Sequence, residues 1–245
     1  MVVAIIQARM GSTRLPGKVL EKVNGVPLLK IMLDRVALSK RINQVVIATS
    51  TLANDDQIVE FCRNEGVEVF RGSEEDVLSR YFECATEYGA TTVVRLTSDC
   101  PLIDPDVIDD VVKLFESSGV DFAANTLPPD KTTFPDGSDV EVFSYSALSR
   151  ANREAEELSH REHVTCYFWR DPTLNFKIQQ LQNSDDWSKY RFTVDYPEDL
   201  EVIKQILTNQ SKSKYTLGLA EIVKFLEDRP EVYDLNSKYH WRLKK

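Results

Sequence analysis

The chain has 245 residues, enough for one large α/β domain with a full buried core, and its 42% apolar and 28% charged content is that of an ordinary globular protein. A formal net charge of −9 excludes a nonspecific nucleic-acid binder, because no global field draws in a polyanion, although a local basic cluster still can. No apolar run reaches the length of a membrane span, and the apolar start MVVAIIQARM lacks the basic flank and cleavage site of a signal peptide. Cys62, Cys84, Cys100 and Cys166 occur singly, without a C-x-x-C pair, which points to reduced thiols in a cytoplasmic protein rather than to zinc or redox use.

Short β-branched runs alternate with amphipathic stretches, the pattern of βα units around a mostly parallel sheet. Val2–Gln7 reads as a buried first strand and 44–49 as a second, with 67–71 and 91–97 continuing the series. Helical spacing of apolar residues over 27–38, 55–65 and 74–88 supplies the connections. Asp104 followed by Pro105 reads as an N-cap with proline in the first turn, starting a helix that runs to about residue 116. Beyond residue 125 the alternation weakens. Residues 127–139 are rich in Pro, Asp and Gly and read as a loop, mobile until substrate binds. A strand over 139–143, an exposed helix over 147–157, a last strand over 191–194, a helix from Pro197 and a closing helix over 218–228 complete the chain. With no repeats, low-complexity tracts or linkers, 1–245 reads as a single domain with 126–190 as an inserted portion.

Directly after the first strand, 8–18 reads ARMGSTRLPGK. In an open α/β sheet, ligands sit in loops at the carboxyl ends of strands. Gly11 and Gly17 let the backbone approach a phosphate, while Arg9, Arg14 and Lys18 supply charge within one loop. Cations so close together repel unless an anion offsets them; a solvated basic loop is the plainer alternative. The segment is not a P-loop. Walker A needs four residues between glycine and Gly-Lys, then Ser or Thr, whereas here five residues separate Gly11 from Gly17 and Val19 follows Lys18. The dinucleotide fingerprint G-x-G-x-x-G is absent as well.

The run QARMGSTRLPGKVL resembles the signature of the cytidylyltransferases that activate acidic sugars, such as CMP-3-deoxy-octulosonate and CMP-acylneuraminate synthetases. It is most similar to the branch that includes the spore-coat polysaccharide biosynthesis protein SpsF, and the likeness extends over most of the chain. The resemblance implies a three-layer αβα Rossmann-like nucleotidyltransferase fold with a mostly parallel sheet. It also implies that CTP and an acidic sugar are converted to a CMP-sugar and pyrophosphate for surface or spore-coat polysaccharide. On this likeness Ala8, Arg9, Gly11, Ser12, Arg14 and Lys18 hold the nucleotide together with Arg80 and Thr97, and Arg14, Lys18 and Asp99 are catalytic. A homodimer formed through the inserted portion, with neither nucleic acid nor membrane as partner, is implied too.

Transfer to a sugar oxygen relies on positioning and on charge neutralisation by a divalent metal, which needs hard oxygen ligands near the phosphate loop. Asp99, in RLTSDCPLID, follows the strand ending at Thr97, and Asp195, in FTVDYPEDL, follows the strand expected to end at Val194. Asp195 could instead cap the next helix, and Asp99 could stabilise a turn before Pro101. Both flanking stretches resemble the family's positions for Mg²⁺ (or Mn²⁺). Two such carboxylates repel, so Asp195→Asn is expected to leave metal-free stability unchanged or slightly raised. In one departure, Thr97 and Ser98 stand where the octulosonate enzymes carry Gln-Gly, so base or sugar contacts differ there.

The stretches DGSDVEVFSYSAL and LSHREHVTCYF resemble the segment placed over the sugar site, which implies sugar contacts from Glu141, Arg161, Glu162 and His163. His160 and His163 have helical i, i+3 spacing but lack an obvious third ligand, and an Arg–Glu pair on a solvated helix face is the commoner reading. Arg71, Arg80 and Arg95 also stand out. Arg80, on a helical pattern, points to the nucleotide or snorkels at the surface. Arg95, within a strand, needs a phosphate or carboxylate partner if it is buried. Two other classes compete. A nucleotide-sugar-dependent glycosyltransferase would want a metal-binding D-x-D, which Asp104-Pro105-Asp106 matches formally. A sensor or scaffold with a decayed site is opposed by the joint presence of Arg14, Lys18, Asp99 and Asp195.

Overall fold

A computed structural model describes residues 1–209 and 217–239. Its strands are β1 (Val2–Gln7), β2 (Lys22–Val23), β3 (Val26–Pro27), β4 (Gln44–Ser50), β5 (Glu68–Gly72), β6 (Thr92–Thr97), β7 (Phe122–Ala124), β8 (Glu141–Ser144) and β9 (Ile178–Gln180). The longer helices are α1 (Leu28–Val36), α2 (Asp56–Glu65), α3 (Val77–Glu87), α4 (Pro105–Ser118) and α5 (Tyr145–Glu154). They are followed by α6 (Leu158–His163), α7 (Cys166–Trp169), α8 (Pro197–Thr208), α9 (Leu219–Glu227) and α10 (Pro230–Tyr233).

Seven strands form one sheet in the order β5-β4-β1-β6-β8-β7-β9, while β2 and β3 make a separate hairpin. All neighbours pair in parallel except β8, which runs antiparallel to both β6 and β7. In β1, Val3, Ala4, Ile5 and Ile6 are all fully buried, as expected for a strand covered on both faces. Ala4 and Ile6 face a core built with α1, α2, α4, α8 and α9. Val3 and Ile5 face a second core built with α3, α5 and α7. The result is the three-layer αβα arrangement with a mostly parallel sheet.

In register, Gln7 at the end of β1 lies beside Thr97 at the end of β6. The loops that begin at Ala8 and Ser98 therefore emerge side by side, and this places the site.

Several expectations are corrected. Residues 191–194 form no strand; Asp136 and Arg191 make only a single bridge. The backbone there serves loops instead, since the Val194 N–H and the Thr193 hydroxyl both donate to the Asp99 carbonyl, at 2.7 and 3.1 Å. Residues 127–139 are largely irregular, as expected, and are held at several points. Asn125 Nδ2 donates to the Ser138 carbonyl at 2.7 Å, and Thr132, Phe134 and Ser138 are buried. The short β2, β3, β7 and β9 went unpredicted because two or three residues carry no readable period. Cys62, Cys84, Cys100 and Cys166 are free and buried. Among the described residues, no helix is long and apolar enough to cross a membrane.

Candidate active site

The phosphate-type loop is held from behind. Asp55, buried after β4, accepts from the Met10 N–H at 2.7 Å through Oδ1, and from the Ser50 N–H and hydroxyl at 3.1 and 2.5 Å through Oδ2. Burial alone pushes this carboxyl up, but those donors outweigh it and hold it below the usual range. Gly17 adopts φ 72°, a left-handed conformation in which a side chain is strained, and its N–H returns to the Met10 carbonyl at 3.0 Å. Pinned at Met10 and Gly17, the loop presents Arg9, Ser12, Thr13 and Arg14 to a cleft of about 920 Å³.

Lys18 closes the floor of that cleft. Its Nζ donates to the Val194 carbonyl at 2.6 Å and to Asp195 Oδ1 at 2.9 Å, and lies 3.5 Å from Asp99 Oδ2. Burial works against its charge, yet Asp99 and Asp195 outweigh it and raise the pKa. Asp195 also meets Arg14 Nη2 at 2.8 Å and Arg191 Nη2 at 3.2 Å. Against the opposing pull of burial, Lys18 and Arg14 hold its carboxyl well below the carboxylate range. The capping alternative for Asp195 does not hold. Tyr196 is the N-cap of α8, and Asp199 reaches back to accept from the N–H groups of Asp195 and Tyr196, at 2.9 Å each.

The cleft gathers Ala8, Arg9, Ser12, Arg14, Lys18, Arg80, Thr97, Asp99 and Asp195 together with Glu162 and His163 of α6. Arg80 is 2% exposed and does not snorkel. Its Nη1 donates to the Ser73 carbonyl at 2.7 Å, while its buried Nε has no hydrogen-bond partner. Burial, and secondarily Arg9, lower its pKa, so an anion in the cleft would relieve both effects. Gly11, Arg71, Glu141 and Arg161 do not line the cleft. Gly11 lies beside Glu74. Glu141 is buried behind the cleft as the partner of Arg95, Oε1 to Nη1 at 2.6 Å, which identifies the anion Arg95 required. Arg161 is spent on Asp76, Nε to Oδ1 at 3.0 Å, and on Asn152. Arg71 braces the end of β5 against Asp56 and the Ser50 carbonyl.

Some participants escaped the sequence reading. Gln7, Glu74, Glu75 and Leu158 also line the cleft, beside Arg95, which stood out in the sequence. Arg191, 6% exposed, ties together Asp136, Asp195 and Asp199. An arginine beside Asp195 with a second aspartate eight positions on was the available signal. Asp136, Asp139, Cys100 and Tyr239 join Asp99 and Asp195 around an adjoining cleft of about 310 Å³. Burial and the neighbouring Asp139 push the Asp136 carboxyl up, partly offset by Arg191.

The D-x-D alternative finds no footing. Asp104 is buried, accepts from the Asp106 N–H at 2.9 Å as the cap of α4, and accepts again from the Leu219 N–H at 2.5 Å. His160 lies against Tyr167 and Glu157. Among the described residues, no group of three or more His, Cys, Asp or Glu side chains could hold a metal on its own.

Known proteins resemble this chain over most of its length. The cytidylyltransferase family profile matches residues 3–225. The chain is 35% identical over 237 residues to the spore coat polysaccharide biosynthesis protein SpsF of Bacillus subtilis, spanning 94% of this chain and 95% of that one. It superposes on the structure of a cytidylyltransferase from Leptospira borgpetersenii with a TM-score of 0.88 and 35% identity, over 95% of this chain and 96% of that one. A CMP-2-keto-3-deoxy-manno-octonic acid synthetase complexed with CTP shares the fold, with a TM-score of 0.65 at 17% identity over 84% of this chain and 98% of that one. The chain belongs to the cytidylyltransferase family.

Proposed function

We propose that this cytidylyltransferase couples CTP to an acidic sugar, releasing pyrophosphate and a CMP-sugar destined for a surface or spore-coat polysaccharide. The observation that carries the reading is one cleft lined jointly by Arg9, Arg14, Lys18 and Arg80 and by Asp99 and Asp195. Its volume of about 920 Å³ has room for a nucleotide and a second substrate together.

In this reading Arg9, Arg14 and Arg80 bind the triphosphate. Lys18 then offsets charge as an acceptor oxygen attacks the α-phosphorus and pyrophosphate leaves. Glu162 and His163 face the acceptor from α6, and the Arg95–Glu141 and Arg161–Asp76 pairs support that wall from behind. The pair Asp99 and Asp195 suits a divalent cation, since an ammonium already rests between them, at 3.5 and 2.9 Å. Two carboxylates leave positions for phosphate oxygens and water, the mixed shell that Mg²⁺ favours. Bound there, Mg²⁺ or Mn²⁺ would neutralise phosphate charge.

Homodimerisation through 126–190 belongs to the same reading. Leu158 and Ile178 supply exposed apolar surface in that portion, and sedimentation of the purified chain tests it. CTP as a substrate puts the reaction in the cytoplasm. The direct test is pyrophosphate release from CTP in the presence of acidic sugars; absence of release with every sugar and either metal overturns the assignment.

A further inference from the structure

The last described turn of the chain packs against the start of α8. The Tyr239 ring stacks on Tyr196, with centroids 3.8 Å apart and planes 6° from parallel. Tyr196 in turn carries the Arg14 guanidinium, whose central carbon lies 4.9 Å from the ring centroid. Three side chains far apart in sequence thus form one series, which ends on Asp195 through the 2.8 Å contact of Arg14.

The anchorage of Tyr239 is specific. Its hydroxyl and Lys238 Nζ both donate to Glu198 Oε1 at 2.9 Å, on the first turn of α8. Buried Asn236, three residues earlier, donates to the Arg191 carbonyl at 3.2 Å and to Asp199 Oδ1 at 2.8 Å. The turn is therefore fastened to the segment that bears Asp195. Arg14 needs such support. Its side chain is 47% exposed, and beyond Asp195 it is the Tyr196 side chain that holds it; a long exposed arginine otherwise samples many rotamers. A guanidinium lying on an aromatic face keeps its plane and its hydrogen-bonding fork available to a phosphate.

We propose that Tyr239 is a positioning residue for nucleotide binding: it fixes the Tyr196 ring, and through it aims Arg14 at the triphosphate. This rests on the CTP-binding role proposed above. Tyr239 does not itself touch the phosphates in this account, and its effect passes wholly through Arg14.

The test is calorimetric titration of CTP with Mg²⁺ into the full-length chain and its variants, at 25 °C and after circular dichroism has shown each to be folded. Tyr239→Ala should weaken CTP binding about three- to tenfold, the scale of one cation–π contact. Tyr239→Phe keeps the ring, loses only the contact to Glu198, and should bind like the parent. Tyr239→Leu, which retains volume without a flat face, should resemble Tyr239→Ala and serves if the alanine variant does not fold. In an Arg14→Ala background, Tyr239→Ala or Tyr239→Leu should add no further loss. Parent-like affinity in both Tyr239→Ala and Tyr239→Leu, or an equal loss with and without Arg14, would overturn the proposal. A parent chain that fails to bind CTP in the same titration instead removes the underlying functional reading.

Discussion

Lys18 Nζ and Asp195 Oδ1 lie 2.9 Å apart although 177 positions separate them in the chain. This contact joins the loop after β1 to the segment before α8, and both the stability and the chemistry of the site turn on it. Lys18 and Arg14 share this carboxylate but differ in exposure, with side chains 12% and 47% accessible.

That difference separates two substitutions. Arg14→Ala and Lys18→Ala should each weaken CTP binding by roughly tenfold or more, the effect of losing a charge-assisted hydrogen bond of ~1.5–3 kcal/mol. In thermal melts without nucleotide, Arg14→Ala should remain within about 0.5 kcal/mol of the parent. Lys18→Ala should be clearly destabilised, because it strips the Val194 carbonyl and Asp195 of a partly buried partner. Equal melting behaviour of the two would contradict this picture of Lys18.

Asp195→Asn should lower stability, not raise it as mutual repulsion of two carboxylates suggests, because Asp195 faces Lys18, Arg14 and Arg191. Its folded-state pKa lies below the ordinary 3.8, so in acid the unfolded chain binds more protons at this position. The stabilisation is therefore complete well above that value, begins to be lost as pH falls past it, and is gone only once pH has fallen through the lower folded-state pKa. Denaturant titrations should show a deficit of roughly 1.5–3 kcal/mol for the variant at pH 7, shrinking below about pH 4. A deficit that stays constant down to pH 3 would argue that Asp195 does not carry the linkage.

What could be read from sequence was local. The buried run of β1, the Asp104-Pro105 cap of α4 and the cation-rich 8–18 loop each depend on neighbours a few positions away. Asp99 and Asp195 were located by motif, but their shared contact with Lys18 is a product of long-range folding. Arg191 escaped notice because its partners Asp136 and Asp199 converge only once the 127–139 segment packs down. The expected strand at 191–194 failed for a related reason: its backbone donors serve the Asp99 and Asp136 carbonyls in loops, and periodicity cannot distinguish that from a ladder. Glu141 looked like a sugar contact, and only the placement of Arg95 shows where its charge is used.

Gly137→Ala should be among the most damaging single substitutions. Its φ of 108° is strained for any side chain, and a Cβ there would sit 2.4 Å from the Thr193 backbone nitrogen. Relieving that clash must push the 136–139 loop away from the segment carrying Arg191 and Asp195. Stability should fall by more than about 2 kcal/mol, and an unchanged melting temperature would show that the two segments do not pack as described.

Asp55→Ala acts at a distance from the substrates. It leaves the Met10 N–H and the Ser50 hydroxyl without their acceptor and loosens the loop that presents Arg9 and Arg14. CTP affinity should drop about tenfold although Asp55 itself does not line the cleft, and hydrogen exchange at Met10 should accelerate. Unaltered exchange at that amide would place the loop's anchor elsewhere.

The central claim is cytidylyl transfer, and the most direct measurement is pyrophosphate release from each of the four ribonucleoside triphosphates with Mg²⁺ and a panel of acidic sugars. The account predicts release with CTP that depends on one of the sugars, is abolished by chelation of the metal, and falls by orders of magnitude in both Asp99→Asn and Asp195→Asn. Preference for another nucleotide, or full activity with an unaltered metal requirement in either aspartate variant, would contradict it.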